Sequence, residues 1–321
     1  MRTMKLIIQI PCWNEAETLP ATLAALPRRI DGVAEIELLI VDDGSIDATA
    51  EVARENGVHH IVRFTNHKGL ATGFMAGLDA CLRLGADIIV NTDADGQYPA
   101  EDIPRLIQPI LRGEADMVIG DRQVTSVEHF APSKRLLQAW GSSVVSSIAG
   151  LKVQDVTSGF RAYNREAALR VNILTKFTYT LETIIQAGHK QIAVATVPTS
   201  SLPPRRPSRL FGGSMAYLRK SIPTILRIYT VYEPLKTFVF IGAPILGLGV
   251  LLGLRFFYFY LDGSGAGHVQ SLILAAVLIL VGFQVFVLGV LADLIAANRR
   301  LIEDGLYRVR KIELGEKGDR K

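Results

Sequence analysis

Across the first two hundred residues, short and nearly unbroken apolar runs alternate with longer mixed stretches. The runs are LIIQIP (6–11), IELLIVDD (36–43), HIVRF (60–64), ADIIVNT (86–92), ADMVIGD (115–121) and QIAVATVP (191–198). Apolar runs of this kind suit strands covered on both faces. The stretches between them read as helices: ATLAALPRR (21–29), ATAEVAREN (48–56), GLATGFMAGLDACLRLG (69–85) and PAEDIPRLIQPILRG (99–113). This alternation predicts an α/β domain with a mostly parallel sheet.

The pattern then changes. Thr237–Leu254 is 18 residues without a charge, and FFYFYL follows Arg255. Val269–Ala292 is a second uncharged run, of 24 residues. A bilayer core needs about 20 apolar residues per helix, so both runs predict membrane spans, with Arg255 near enough to an end to snorkel. The loop between them, Asp262–His268, has no Lys or Arg. Arg219, Lys220, Arg227 and Lys236 precede the pair, and Arg299, Arg300, Arg308, Arg310 and Lys311 follow it. The positive-inside rule then predicts both termini and the α/β domain on the cytoplasmic side.

Composition agrees with this division. Hydrophobic residues make up 49% and charged residues 21% of the 321-residue chain, with mean hydropathy +0.27. The N-terminal apolar run is too short for a signal peptide and has no cleavage pattern. Two cysteines, Cys12 and Cys81, make neither a disulfide framework nor a metal spacing, and a reducing compartment fits. The net charge is +4. Thr199–Tyr232 contains no Asp or Glu but holds Arg205, Arg206, Arg209, Arg219, Lys220 and Arg227 among apolar residues. The hairpin a few residues later makes an anionic membrane surface a better partner for this stretch than nucleic acid.

Ligands of open α/β sheets bind beyond the carboxyl ends of the strands. Three polar clusters fall there: Pro11–Glu15, Asp42–Ser45 and Asp93–Gln97. In an extended segment residues i and i+2 point the same way, so Asp93 and Asp95 can face one point, with Gln97 offering a third oxygen. Oxygen ligands without His or Cys suit a hard cation, Mg2+ or Mn2+. Asp42 or Asp43 can accept hydrogen bonds from a ribose or base edge. Trp13 offers a flat surface to a nucleobase, or else belongs to the core. Gly69, Gly73 and Gly77 do not form a dinucleotide loop and are expected to let a helix lie close to the sheet.

The segments PCWNE, VDDGSIDAT, NTDADGQYP and DVTSGFRAY (155–163) occur in that order. Together they resemble glycosyltransferase family 2, within it the dolichyl-phosphate mannose synthases and polyprenyl-phosphate glucosyltransferases. The resemblance implies a GT-A (Rossmann-like) catalytic domain. Pro11, Trp13, Glu15, Val41, Asp42, Asp43 and Asp93 would bind the nucleotide sugar, and Asp93, Asp95 and Gln97 the metal on its diphosphate. Asp95, Arg122 and Arg161 would serve catalysis. Arg122, Lys134, Arg135, Arg206 and Arg209 are the candidates for the lipid phosphate, while Arg161 has an ion-pair role as its alternative. Glu182 would either shape the sugar site or lie on a helix surface.

The domains expected are a GT-A domain over 1–205, a basic amphipathic juxtamembrane segment over 206–234, a hairpin over 235–296 (spans about 235–260 and 269–292) and a basic cytoplasmic tail over 297–321. The implied reaction is inverting, metal-dependent transfer of a hexose from GDP-mannose or UDP-glucose to dolichyl or undecaprenyl phosphate at the cell or ER membrane. A homo-oligomer stays open. The rival readings are an inactive scaffold or transport subunit, a processive polysaccharide synthase, and a soluble nucleotidyltransferase-like domain. The scaffold should have lost Asp93, Asp95 or Gln97; the synthase should carry Q-x-x-R-W and more spans; the third leaves the hairpin unexplained.

Overall fold

β1 (Lys5–Cys12) is apolar on both faces because both are covered. Leu6, Ile8 and Ile10 point into one layer of the core with Leu19, Leu23, Ile103, Leu106 and Ile107. The computed structural model of the chain describes residues 4–123, 132–173, 178–200, 202, 223, 226, 227 and 229–315, and for 132–140 the backbone alone. They divide into two units. The first takes in Met1–Thr224 and Tyr307–Lys321, the second Ile225–Leu306.

In the first unit, β1 is followed by α1 (Leu19–Ala25), β2 (Glu35–Asp42), α2 (Thr49–Glu55), β3 (His60–Arg63), α3 (Leu70–Arg83), β4 (Ile88–Asn91), α4 (Ile103–Leu111) and β5 (Met117–Asp121). Then come α5 (Pro132–Ala149), β6 (Arg161–Asn164), α6 (Arg165–Arg170), α7 (Tyr179–His189) and β7 (Val194–Pro198). The sheet order is β3-β2-β1-β4-β6-β5-β7. Every neighbouring pair is parallel except the two that β6 makes, with β4 and β5. The six predicted strands are present with boundaries within a few residues. β6 and α6 were not foreseen.

Local chemistry sets several boundaries. α1 stops because Pro27 drives Leu26 into extended backbone, ψ 139°. Asn164 caps α6 through its side chain, and the Thr178 hydroxyl caps α7. Of the three glycines spaced by four, it is Gly77 that brings α3 onto the sheet, since a Cβ there would run into the Gln9 carboxamide and Val41.

The second unit is a helical hairpin. α8 (Pro234–Leu261) and α9 (Val269–Glu313) contain two stretches long and apolar enough to cross a membrane, with mean hydropathies of 2.2 and 2.8. Apart from Pro234 at the start of α8, the buried positions of the two helices are small residues seven apart: Gly242 and Gly249 on α8, and Ala275, Gly282 and Gly289 on α9. A Cβ on Gly282 would approach the Leu246 backbone nitrogen to 2.7 Å, and one on Gly249 the Ile279 nitrogen to 2.9 Å. Small residues at heptad spacing let two apolar helices touch backbone to backbone. α9 does not end with its apolar run at Ala292 but continues through the basic tail to Glu313. Its last turns belong to the first unit, where the Tyr307 hydroxyl donates to Glu166 (2.5 Å) and Arg310 donates to the Leu169 carbonyl (3.3 Å) at the end of α6.

Candidate active site

Parallel pairing brings three of the polar clusters to one edge. Cys12 of β1 stands beside Asp42 of β2, and Gln9 of β1 beside Asn91 of β4, two residues before Asp93. The loops after β1 and β2 are stapled together. Asn14 N–H donates to the Ser45 hydroxyl (2.9 Å), and Ile46 N–H returns a bond to the Asn14 side chain (2.9 Å). Glu15 N–H donates to Thr49 (2.9 Å) and Ala16 N–H to Asp47 (3.1 Å). Asn14 takes a left-handed conformation, φ 55°, to make this turn.

The two aspartates left open by sequence have different settings. Asp42 is fully buried, accepts from Ser45 N–H (2.9 Å) and pairs with Arg63 (3.1 Å), which fixes the β2–α2 turn. Asp43 accepts from the backbone N–H groups of Lys68 (2.7 Å) and Gly69 (2.8 Å) and pairs with Nδ1 of His67 (2.9 Å). The His67 ring stacks on Trp13, centroids 4.3 Å apart and planes 26° from parallel. Trp13 is 37% exposed, so it stands at the surface of the cleft rather than in the core. Pro11 is partly buried on β1 and Val41 is fully buried on β2. Glu15 is buried and receives the Thr18 hydroxyl on its carboxylate (2.8 Å). Gly44 has φ +68°, and a Cβ there would collide with the backbone of Asn66 and His67.

Asp93 and Asp95 follow β4. The Thr22 hydroxyl of α1 holds their loop by donating to the Ala94 carbonyl (2.8 Å). Gln97 binds Asp95 twice, through its backbone N–H (3.0 Å) and its side-chain nitrogen (2.6 Å). It therefore orients that carboxylate and does not aim an oxygen beside it. Asp93 lies against Gly159, where a Cβ would come within 3.4 Å of its carboxylate. Underneath, the Asn91 amide donates to the Gly159 carbonyl and the Tyr179 hydroxyl (both 2.9 Å), and Gln9 donates to Asn91 (2.9 Å). This buried polar net keeps the floor of the site in one arrangement.

Burial, then the charge of Asp95, push the Asp93 carboxyl up to about 7, with Arg122 opposing. Arg122 forks onto Asp155, Nε to Oδ2 at 2.7 Å and Nη2 to Oδ1 at 3.0 Å, and also donates to the Thr157 hydroxyl (2.7 Å). Burial would raise the Asp155 pKa, but the Arg122 charge and the hydrogen bonds to it win and hold it below the usual carboxylate range. Burial pushes the Tyr98 phenol up to about 12; its oxygen accepts from Gly159 N–H (2.9 Å).

Arg161 takes a different place from the one the motif suggested. It is fully buried, with Nε on the Ser158 carbonyl (2.8 Å), Nη2 on the Val156 carbonyl (2.9 Å) and Nη1 on the Thr183 hydroxyl. It clamps the 156–161 turn from behind. Glu182 is buried inside α7 rather than on its surface, and Gln186 donates to it (3.4 Å). The side chains of Lys134 and Arg135, all of Arg206 and Arg209, and most of the basic 206–234 segment lie outside the described residues. Sequence reasoning missed His67, which carries no motif of its own, and Asp155, whose signal was its place at the head of the DVTSGFRAY segment.

Among the described residues no group of three or more His, Cys, Asp or Glu gathers to hold an ion. Two carboxylates whose repulsion Arg122 offsets only in part fit a hard divalent cation that takes its other oxygens from a diphosphate and water.

Residues 7–171 match the model of Glycosyl transferase family 2. The undecaprenyl-phosphate mannosyltransferase of Micrococcus luteus is 35% identical over 176 residues, 53% of this chain and 70% of that protein. Glycosyltransferase AglJ of Haloferax volcanii is 29% identical over 314 residues, 95% of this chain and 97% of that protein. Glucosyl-3-phosphoglycerate synthase of Mycobacterium tuberculosis, solved with Mn2+, UDP and glucosyl-3-phosphoglycerate, superposes with a TM-score of 0.54 at 22% identity, covering 70% of this chain and 80% of that one. At that identity the likeness is one of fold.

Proposed function

The chain belongs to glycosyl transferase family 2, and from that membership we propose that it moves a hexose from a nucleotide-diphosphate sugar to a polyprenyl phosphate, inverting the anomeric carbon. The observation that carries the reading is the Asp93–Asp95 pair, held at the carboxyl end of β4 beside the stapled loops of β1 and β2. The acceptor follows the Micrococcus luteus relative, whose name gives undecaprenyl phosphate and mannose. GDP-mannose and UDP-glucose are the donors to test first.

A divalent cation, Mg2+ or Mn2+, held by Asp93 and Asp95 would supply charge neutralisation to the departing diphosphate. Gln97 keeps the Asp95 carboxylate turned for that duty. Arg122 offsets the Asp93 charge from the β5 side. The nucleophile is a phosphate monoester oxygen; with a second pKa of about 6 it is largely dianionic at neutral pH and needs no strong base. No side chain is assigned as one.

The two apolar helices support a membrane protein with two spans, and the cations flanking both of them support a cytoplasmic catalytic domain. A polyprenyl phosphate keeps its phosphate at the membrane surface, and a hairpin would keep the enzyme there too. Purified protein, polyprenyl phosphate and each radiolabelled sugar nucleotide, with and without EDTA, test the reading. One or two donors should label the lipid, and chelation should stop it. Absence of labelling with every donor, or labelling that survives rigorous metal removal, overturns it.

A further inference from the structure

We propose that His67 reads the nucleobase of the donor, with Asp43 acting through it. The proposal rests on the nucleotide-sugar reading above and names a residue of that site that no motif marks. Asp43 is nearly buried, with 6% of its side chain exposed, and its two oxygens already accept from Lys68 N–H, Gly69 N–H and His67 Nδ1. A carboxylate offers about four acceptor positions, so three of Asp43's are committed to its own loop. Asp43 is thus poorly placed to read a base directly.

What it fixes instead is a ring. Because a carboxylate only accepts, His67 Nδ1 must carry a proton, and in the neutral imidazole Nε2 is then an acceptor. Stacking on Trp13 fixes the ring plane. The Cβ-free backbone of Gly44 lets the 66–67 backbone close in on the β2 turn. Yet 49% of the His67 side chain stays exposed, and among the described residues Nε2 has no partner. A half-exposed ring with its tautomer and plane both fixed, at the same strand ends as the acidic pair, is a prepared acceptor. A base lying in the plane of the imidazole, edge against Nε2 and over the same indole, would donate an imide-type N–H to it. Uracil and guanine both carry one.

The test is equilibrium binding of UDP and GDP, with the cation present, to the wild-type chain, His67→Phe, His67→Gln and His67→Ala, each checked for an unchanged melting temperature. N3-methyl-UDP and N1-methyl-GDP, which lack the imide N–H, are the second axis. The preferred nucleotide should weaken about five- to tenfold in His67→Phe, the loss of one hydrogen bond. His67→Gln, whose amide oxygen can accept, should recover part of this. Methylation should weaken binding to the wild type by a similar factor and leave His67→Phe indifferent. Equal affinity of wild type and His67→Phe, or equal sensitivity of both to methylation, overturns the proposal while leaving the site reading intact. Tighter binding to His67→Ala overturns it too, because His67 would then be a plug that the base displaces. A wild type that binds neither nucleotide removes the site reading along with the proposal.

Discussion

Arg122 and Asp155 form a fork-to-fork pair that closes the excursion between β5 and β6, with contacts of 2.7 and 3.0 Å. Asp155 is 2% exposed and the Arg122 side chain 11%, so the carboxylate has no water to fall back on and the guanidinium little.

Asp155→Asn should therefore destabilise the catalytic unit by about 3–5 kcal/mol, the cost of leaving a buried charge without its partner. Chemical denaturation measures it. The pH dependence has a definite sign. The Asp155 pKa is depressed in the folded state, so its contribution is fully present above the unfolded carboxylate value of about 3.9 and is lost as pH falls through the lower folded value. The wild type should lose this increment on acidification, and Asp155→Asn should show a flatter acid limb.

Asp93 works in the opposite direction. With its pKa raised to about 7, the folded metal-free chain binds more protons than the unfolded one between about pH 4 and 7, and its stability falls as pH rises through that window. A divalent cation must displace that proton, so its affinity should drop below pH 7 and binding should release protons. Calorimetry in buffers of different ionisation enthalpy reads this directly. Asp95→Ala should cut sugar transfer by at least about a hundredfold. An Asp95→Ala enzyme that keeps full EDTA-sensitive activity would remove the acidic pair from the mechanism.

Gly44→Ala places a side chain at φ +68° and against the Asn66–His67 backbone. Strain of this kind costs about 1–3 kcal/mol, and relief has to move the loop that ties Asp43 to His67. The expected result is a lower melting temperature together with a raised KM for the sugar nucleotide. The KM for the lipid should hold.

Gly282→Leu should separate α8 from α9, since even a Cβ at 282 reaches the Leu246 backbone. Overpacking typically costs about 1–3 kcal/mol. The hairpin's unfolding midpoint in an SDS titration should fall, while UDP or GDP binding to the catalytic unit should not change.

Most of the sheet and the hairpin were legible because a continuous apolar run must be covered on every side, by protein or by lipid. β6 was not: RAYN is four residues long, half of them polar, and its Arg161 is satisfied by carbonyls that sequence cannot place. The D-x-D spacing pointed to Asp93 and Asp95, but it could not show that Gln97 turns its nitrogen toward Asp95. Asp42 and Asp43 are adjacent and chemically identical. Only the partners that folding brings, Arg63 to one and His67 to the other, tell them apart.

The reversed direction of β6 has an architectural corollary. β5 ends and β6 begins at the same rim, with Ile119 opposite Arg161, so residues 122–160 leave and re-enter the sheet at neighbouring points. Between its anchored ends, the Arg122–Asp155 fork and the turn before β6, such a segment can change in length without altering the register of any other strand. The stapled loops after β1 and β2, by contrast, are built into the parallel crossovers, where an insertion would disturb two strands at once.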